Sequence, residues 1–310
     1  MPVHALFPGQ GAQTPGMARG LARAFPEADE VFEEASEELG IDLRTLCWDA
    51  PPQLLAATEN AQPALLTAAV AAWRVLARRG VTPASAAGHS VGAVAALVAT
   101  GRLELADAVR LVRLRGTLMA SAPGRGGMCA LAVAGPEQRG DLLARARGEG
   151  LDLAADNSPR QCVVSGEITA VRRFAAQIGP RARLLDVSHA FHSRLMAPAA
   201  DAWRDAATAQ RLADSPRPVG LVTCGVFGAR TEDVRADLVD ALCAPVRWRE
   251  LMELLVADRG AAPVALGPAR PLVSLARHFP GRPVTRLVST PQEVGVVLRA
   301  LEAGREEGTR

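Results

Sequence analysis

Two patterns of apolar and polar positions alternate along the chain, one typical of short buried strands and one typical of amphipathic helices. Residues 3–7 are an apolar run that ends in the turn Pro8-Gly9-Gln10-Gly11-Ala12-Gln13, which predicts a buried first strand. Helical spacing follows over residues 16–39 and again over residues 62–78. Short strands that alternate with amphipathic helices predict an α/β fold.

The next strand and helix are joined by a distinctive turn. Residues 84–88 predict a strand, Ser90 stands at its end, and residues 91–100 resume a helical pattern. A strand, a sharp turn and a helix form the arrangement that exposes a nucleophile. One further helix is predicted over residues 105–119, and it contains Arg115.

Shorter elements occupy the middle of the chain, in the order strand, helix, strand, strand, helix, strand. The predicted strands and helices cover, in turn, residues 128–133, 136–147, 151–155, 161–165, 168–178 and 183–187. That order is typical of a split-βαβ unit. Longer helices return after His192, with short apolar strands over residues 219–223 and 264–266. Residues 304–310 are expected to form a frayed tail.

These elements predict a large α/β-hydrolase-like subdomain built from residues 1–125 and 188–310. A small ferredoxin-like (split βαβ) subdomain, residues 126–187, is inserted into it rather than appended. A chain of 310 residues of which 49% are hydrophobic can bury the core that such a domain needs.

Composition excludes several classes of function. Aromatic residues make up only 4% of the chain and tyrosine is absent, which argues against base-stacking platforms. A formal net charge of +2 is not that of a general nucleic-acid binder. Lysine is absent as well, so neither Schiff-base chemistry nor a phosphate-binding lysine is available.

The five cysteines are scattered and form no C-x-x-C pair, so we predict reduced thiols and neither a metal site nor a disulfide framework. The first residues lack the pattern of a signal peptide, and no apolar stretch approaches the roughly 20 residues that cross a bilayer. A cytoplasmic location is therefore expected, without contact to a membrane.

The strongest local signal for chemistry is Gly88-His89-Ser90-Val91-Gly92, which matches the G-x-S-x-G elbow. A serine hydroxyl needs a base to take its proton. His4 and His278 are interpreted as structural, and the side chain of His89 is expected to point away from the serine hydroxyl. His189 and His192, where the small subdomain rejoins the large one, both remain candidates.

Two further features fit acyl-transfer chemistry. The turn around Gln10 is flanked by glycines, so its backbone N–H groups are free to face a developing oxyanion. Arg115 lies among apolar neighbours on its predicted helix, ahead of a glycine-rich loop over residues 123–127.

Together these segments resemble the malonyl-CoA:acyl-carrier-protein transacylases and the related acyltransferase domains of polyketide synthases. Seven motifs occur in the same order over nearly the whole chain: Phe7-Pro8-Gly9-Gln10-Gly11-Ala12-Gln13, Gln62-Pro63-Ala64, Gly88-His89-Ser90-Val91-Gly92, Arg113-Leu114-Arg115-Gly116, Asn157-Ser158-Pro159, His189-Ala190-Phe191-His192-Ser193 and Pro245-Val246-Arg247-Trp248.

The resemblance implies a role for each matching residue. Ser90 would be the acylated nucleophile and His192 its base, and the backbone N–H groups of Gln10 and Val91 would form the oxyanion hole. Arg115 would bind the free carboxylate of a malonyl group through a bidentate pair.

The resemblance also assigns Gln62, Asn157 and His89 to the binding of the acyl and pantetheine groups. In this family a phenylalanine at the position of Phe191, beside the base, is associated with selectivity for malonyl groups, whereas a smaller residue there is associated with selectivity for methylmalonyl groups. No metal is implied.

In this family a main-chain carbonyl near the Pro-Val-Arg-Trp segment orients the histidine in place of a triad acid. This chain departs from the pattern at two positions: Ala244 stands where many relatives carry a polar residue, and Ala93 stands where an acid usually follows the elbow.

The implied activity is ping-pong transfer of a malonyl group from CoA to the phosphopantetheine thiol of an acyl carrier protein, in polyketide or fatty-acid biosynthesis. The expected partners are a CoA thioester and an acyl carrier protein, discrete or within a synthase. We expect a free-standing monomer without a bound cofactor. An acyl hydrolase, a carrier-to-carrier transferase of an unusual acyl group and a non-catalytic docking module are the alternatives.

Overall fold

The computed structural model describes residues 2–258 and 260–308, and within them ten strands form two sheets. The strands are β1 (Pro2–Phe7), β2 (Thr82–Gly88), β3 (Gly126–Ala132), β4 (Asp152–Ser158), β5 (Gln161–Glu167), β6 (Ala182–Leu184), β7 (Val219–Leu221), β8 (Val226–Gly228), β9 (Ala262–Leu266) and β10 (Arg286–Val288).

The α-helices are α1 (Arg19–Ala24), α2 (Pro26–Leu39), α3 (Leu43–Trp48), α4 (Pro52–Ala56), α5 (Thr58–Ala77), α6 (Gly92–Ala99), α7 (Leu105–Ala120), α8 (Pro136–Gly148), α9 (Ile168–Ile178), α10 (Ala197–Thr208), α11 (Thr231–Asp240), α12 (Trp248–Ala257), α13 (Arg270–Ala276) and α14 (Pro291–Gly308). Among the helices of the described residues, none is long and apolar enough to cross a membrane.

The first sheet has the strand order β10-β9-β1-β2-β7-β8, and only the β7–β8 pair is antiparallel. Its central strand β1 is buried from Val3 to Phe7, as expected for a parallel strand covered by helices on both faces. Phe7 lies opposite Gly88 in the β1–β2 register. The turn that follows β1 and the elbow that follows β2 are therefore neighbours at the same edge of the sheet.

The second sheet is antiparallel, with the order β4-β5-β3-β6. All its strands lie between residues 126 and 184, and α8 and α9 connect them in the predicted order. Cys129, Leu131 and Phe174 belong to a separate small core under this sheet. The predicted mixed α/β class is thus confirmed, and the strands of the second sheet lie between β2 and β7 along the chain.

The prediction of one helix over residues 16–39 is wrong. Phe25 is extended, with φ −137° and ψ 113°, and it separates α1 from α2. Pro26 explains the break, because its ring disfavours helical backbone in the preceding residue and it has no N–H to continue the ladder.

Helix α5 begins at Thr58 rather than at Gln62 and contains Pro63. Pro63 has no N–H for the carbonyl oxygen of Glu59, one turn earlier. Arg113 Nη1 donates to that oxygen instead, at 2.7 Å. A side chain from α7 therefore makes this proline tolerable inside the helix.

Several predicted ends also differ from the structure, most clearly those of one short strand and of the tail. The strand expected over residues 183–187 covers only Ala182–Leu184, because the amide of Val187 turns back to the Leu185 carbonyl at 3.0 Å. The predicted tail from Gly304 is helical as far as Gly308. Residues 309 and 310 of that tail lie outside the described residues.

Candidate active site

Ser90 occupies the tight turn between β2 and α6 with a left-handed backbone, φ 53°. The two glycines of the motif are required by close backbone contacts. A Cβ on Gly88 would lie 1.8 Å from the carbonyl carbon of Gly92, and one on Gly92 would lie 2.5 Å from the carbonyl oxygen of Phe7. The elbow therefore packs directly on the end of β1, and the serine is lifted away from the sheet.

The hydroxyl of Ser90 lies 2.7 Å from Nε2 of His192. The other ring nitrogen, Nδ1, lies 3.0 Å from the carbonyl oxygen of Ala244. A carbonyl only accepts, so Nδ1 carries the ring proton and Nε2 is free to accept the proton of Ser90. The backbone carbonyl orients the histidine as a triad acid otherwise would.

His192 follows the short strand β6, where the chain returns to the first sheet. Its own backbone is left-handed, with φ 55°. The next residue, Ser193, is buried and donates its hydroxyl to the carbonyl of Ala190 at 2.6 Å, which holds the turn. Burial, together with the nearby charge of Arg115, lowers the pKa of His192 to about 3. The imidazole is therefore neutral and ready to act as a base at neutral pH.

Arg115 reaches the same serine from α7 and is only 2% exposed. Its Nη2 lies 3.3 Å from the Ser90 hydroxyl, and its Nη1 donates to Gln62 Oε1 at 2.9 Å. Burial lowers the pKa of Arg115 to about 10. Because this value is well above neutral pH, the site holds a permanent positive charge beside the serine.

Gln10 lies in the turn after β1, where its Oε1 accepts from the Thr58 hydroxyl at 2.7 Å. Gln62 Nε2 donates to the same hydroxyl at 2.9 Å, so one threonine joins the two glutamines. Val91 is the N-cap of α6. The first backbone N–H groups of a helix have no partner within it and carry the positive end of the helix dipole. The elbow thus offers an N–H group next to Ser90.

His89 points away from the serine hydroxyl, as predicted. Its Nε2 donates to Asn157 Oδ1 at 2.8 Å, and Asn157 Nδ2 donates to Gln161 Oε1 at 2.9 Å. Burial lowers the pKa of His89, so its ring is neutral. This chain of hydrogen bonds joins the elbow to β4 and β5 of the second sheet.

Of the two histidines that the sequence left open, only His192 contacts Ser90. His189 is hydrogen-bonded to its neighbour Ser188 at 2.7 Å, and its ring stacks on Phe191 with 6.1 Å between centroids. Phe191 is buried beside the base.

A chain of hydrogen bonds runs from Ser90 through Arg115 and Gln62 to Thr58 and Gln10, and the structure adds two residues near Arg115 that sequence reasoning missed. The carbonyl of Ala241 lies 3.5 Å from Arg115 Nη2, and the ring of Trp203 lies 5.9 Å from the Arg115 guanidinium carbon. Nothing in the local sequence marks an alanine carbonyl or a core tryptophan as part of a site.

Comparisons with known proteins identify the family of this chain. The family model described as an acyl transferase domain matches residues 5–222. Malonyl CoA-acyl carrier protein transacylase of Bacillus subtilis (strain 168) is 35% identical over an alignment of 305 residues that covers 96% of this chain and 96% of the relative. This chain belongs to the acyl transferase family.

Two more comparisons place it within the family. The malonyl CoA-acyl carrier protein transacylase of Escherichia coli (strain K12) is 35% identical, over 94% of this acyl transferase and 97% of the relative. The crystal structure of the acyl-carrier-protein-S-malonyltransferase from Bartonella henselae superposes with a TM-score of 0.89 at 34% identity, covering 97% of this chain and all of that one. The acyl transferase therefore has the malonyltransferase fold over nearly its full length.

A second solved structure shows a type II PKS acyl-carrier protein in complex with its malonyl-transacylase. It superposes with a TM-score of 0.90 at 35% identity, covering 97% of this acyl transferase and all of that chain.

Proposed function

We propose that this acyl transferase moves a malonyl group from CoA to the phosphopantetheine thiol of an acyl carrier protein, through an acyl-enzyme on Ser90. One observation carries the proposal: the Ser90 hydroxyl lies between a neutral base, His192 Nε2, and a buried cation, Arg115 Nη2. The names of the full-length relatives support the same substrates.

In the first half of the cycle, His192 Nε2 takes the proton of Ser90 while the serine oxygen attacks the thioester carbonyl of malonyl-CoA. The negative charge on the carbonyl oxygen is stabilised by the backbone N–H groups of Gln10 and Val91. When the C–S bond breaks, His192 returns the proton to the sulfur, and CoA leaves as a thiol.

The second half repeats these steps in reverse with a different thiol. The phosphopantetheine thiol of the carrier protein loses its proton to His192, and its sulfur attacks the ester carbonyl on Ser90. The ester bond breaks, the serine oxygen recovers the proton, and malonyl leaves as a new thioester. A carrier protein is usually acidic, which suits an enzyme whose side-chain cations, histidine aside, are all arginines.

Selection of malonyl is assigned to Arg115, whose guanidinium would bind the free carboxylate of the acyl group as a bidentate pair. The buried ring of Phe191 beside the base would leave little space for an α-methyl group. Gln62 is proposed to hold the arginine in place, and Asn157 and His89 to line the path of the pantetheine arm.

We infer an α/β-hydrolase-like subdomain over residues 1–125 and 188–310 and a ferredoxin-like subdomain over residues 126–187. The elbow between β2 and α6 supports the first, and the antiparallel order β4-β5-β3-β6 supports the second.

Biosynthesis of fatty acids or of polyketides would use the same chemistry. The expectations of a monomer, of a cytoplasmic location and of no bound cofactor stay predictions.

The decisive experiment is intact-protein mass spectrometry after brief incubation with malonyl-CoA. We expect a malonyl adduct on the native protein and none on Ser90→Ala. Arg115→Ala should form the adduct about 10- to 100-fold more slowly, because a hydrogen bond to a charged group contributes about 1.5–3 kcal/mol.

Adding an acyl carrier protein with its phosphopantetheine arm should then remove the adduct and increase the carrier mass by one malonyl group. Release of free malonate with no gain by the carrier would favour the acyl hydrolase. An adduct that forms from an uncharged acyl thioester and not from malonyl-CoA would overturn the proposal.

A further inference from the structure

The surroundings of Arg115 are unusual for a buried cation. Its hydrogen-bond partners are the neutral oxygens of Gln62, Ser90 and Ala241. Burial alone lowers its pKa, and no carboxylate in the described part of the chain opposes that effect. Buried charges normally require a counter-charge or dense hydrogen bonding, so a further source of stabilisation is needed here.

Trp203 of α10 provides it. The side chain is fully buried, and its ring lies 5.9 Å from the Arg115 guanidinium carbon, within the range of a cation–π contact. Its indole N–H donates to the carbonyl of Leu238 at 2.9 Å. Leu238 lies on α11, and the residue just after this helix, Ala241, has its carbonyl 3.5 Å from Arg115 Nη2. Trp203 thus touches the arginine directly and is bonded to the helix that supplies one of its acceptors.

Two positions among the described residues could hold a counter-charge for Arg115: one is an alanine, and the other is an aspartate whose oxygens are already hydrogen-bonded. Trp203, Ala93 and Asp237 all line a cavity of about 20 Å³ beside Ser90 and Arg115. Ala93 stands where the resemblance to the family leads one to expect an acid. The Asp237 oxygens accept from the amides of Val222 and Thr223 and from the Thr223 hydroxyl, at 2.9, 2.7 and 2.5 Å.

We propose that Trp203 is a positioning residue that stabilises the Arg115 cation without neutralising it, and so sets the preference for acyl groups that end in a carboxylate. An aromatic face attracts a cation but carries no net charge, so the guanidinium remains available to a substrate carboxylate. A carboxylate in that place would compete with the substrate. This inference rests on the proposed malonyl specificity.

Binding measured by calorimetry in the Ser90→Ala background, where no acyl-enzyme forms, separates these effects. We expect Trp203→Leu to weaken malonyl-CoA binding about tenfold, the equivalent of about 1.4 kcal/mol, and to leave acetyl-CoA binding within twofold. Trp203→Phe keeps an aromatic face and should recover most of the malonyl-CoA affinity. Trp73→Leu is the matched control: it removes a buried indole from the same core, 11 residues beyond Gln62 on α5, and should not alter the ratio of the two affinities.

The outcomes distinguish this inference from the proposed function. If the Ser90→Ala protein does not prefer malonyl-CoA to acetyl-CoA, the proposed function fails. If it does prefer malonyl-CoA but Trp203→Leu weakens both ligands equally, or Trp203→Phe behaves like Trp203→Leu, the role of Trp203 is refuted. Thermal unfolding checks each variant. If Trp203→Leu does not fold, the test uses Trp203→Phe, which should weaken malonyl-CoA binding about two- to threefold and leave acetyl-CoA binding unchanged. An equal loss of affinity for both ligands would overturn the proposal.

Discussion

The hydrogen bond at the centre of the site joins two residues with left-handed backbones, Ser90 and His192, with φ of 53° and 55°. For residues other than glycine this conformation costs about 1–2 kcal/mol. Both turns are held by neighbours: the elbow by the end of β1, and the histidine by Ser193. The site therefore contains strain that the surrounding packing maintains, as is common where a side chain must be presented for chemistry.

The pH dependence of acylation tests the electrostatics at the residue scale. His192 accepts a proton only when Nε2 is unprotonated, so activity is present above its pKa and lost as the pH falls through it. Because the pKa of His192 is lowered from 6.5 to about 3, the rate of acylation by malonyl-CoA should not decline between pH 8 and pH 5. In Arg115→Met the loss of a nearby positive charge raises the pKa of His192, so the decline should start at a higher pH than in the native enzyme.

Each rate is taken relative to the same protein at pH 8, by quenched-flow mass spectrometry. Arg204→Met removes an exposed arginine on α10 and should keep the native profile. A native rate that halves near pH 6.5 would show that His192 titrates normally and would contradict the assignment.

At the scale of elements, the elbow depends on how closely β2, the turn and α6 approach one another. We predict that Gly88→Ala lowers the free energy of unfolding by more than about 3 kcal/mol and abolishes acylation of Ser90, because its Cβ would lie 1.8 Å from the Gly92 carbonyl carbon. Urea denaturation and the mass of the acyl-enzyme measure the two effects.

Gly140→Ala is the control for that substitution. Gly140 lies inside α8, and a Cβ there would meet no atom within 4 Å. Alanine favours a helix interior by about 0.5–1 kcal/mol over glycine, so this variant should be slightly more stable than the native protein and equally active. Equal stability of Gly88→Ala and the native protein would mean that the elbow is not built as described.

At the scale of the whole molecule, the two sheets are joined beside the site by a buried carboxylate. Asp156 of β4 forms ion pairs with Arg139 of α8 and with Arg249 of α12, the latter at 2.9 Å. Its backbone amide donates to the Val246 carbonyl at 2.9 Å, two residues beyond the Ala244 carbonyl that orients His192. The position of His192 thus depends on contacts between the sheets.

Asp156→Ala should therefore reduce stability and activity together. Removing one partner of a buried ion pair costs about 3–5 kcal/mol, since the remaining charges lose their compensation. We expect a fall in Tm of roughly 5–8 °C and a slower acylation of Ser90. Asp201→Ala breaks the exposed pair with Arg204 and should change the free energy of unfolding by less than about 1 kcal/mol. If the two variants unfold at the same temperature, the buried pair does not join the sheets.

The sequence alone predicted the elements whose cause is local. The buried strand β1, the elbow at Ser90 and the order of strands and helices in the second sheet follow from apolar spacing and from turn residues. The helix break at Phe25 was missed although Pro26 marks it. The early start of α5 was also missed, and it depends on Arg113, a side chain from a distant helix.

The choice between His189 and His192 could be made from the sequence only through the family resemblance, because both histidines lie at similar distances along the chain from Ser90. In the folded structure His192 is hydrogen-bonded to Ser90 and to the Ala244 carbonyl, whereas His189 is hydrogen-bonded to Ser188. Trp203 lies 88 positions from Arg115 and meets it only through the packing of α7, α10 and α11. Sequence patterns report which residues are buried and where the chain turns, but contacts between distant side chains arise from the way in which whole elements pack, and only the folded structure determines them.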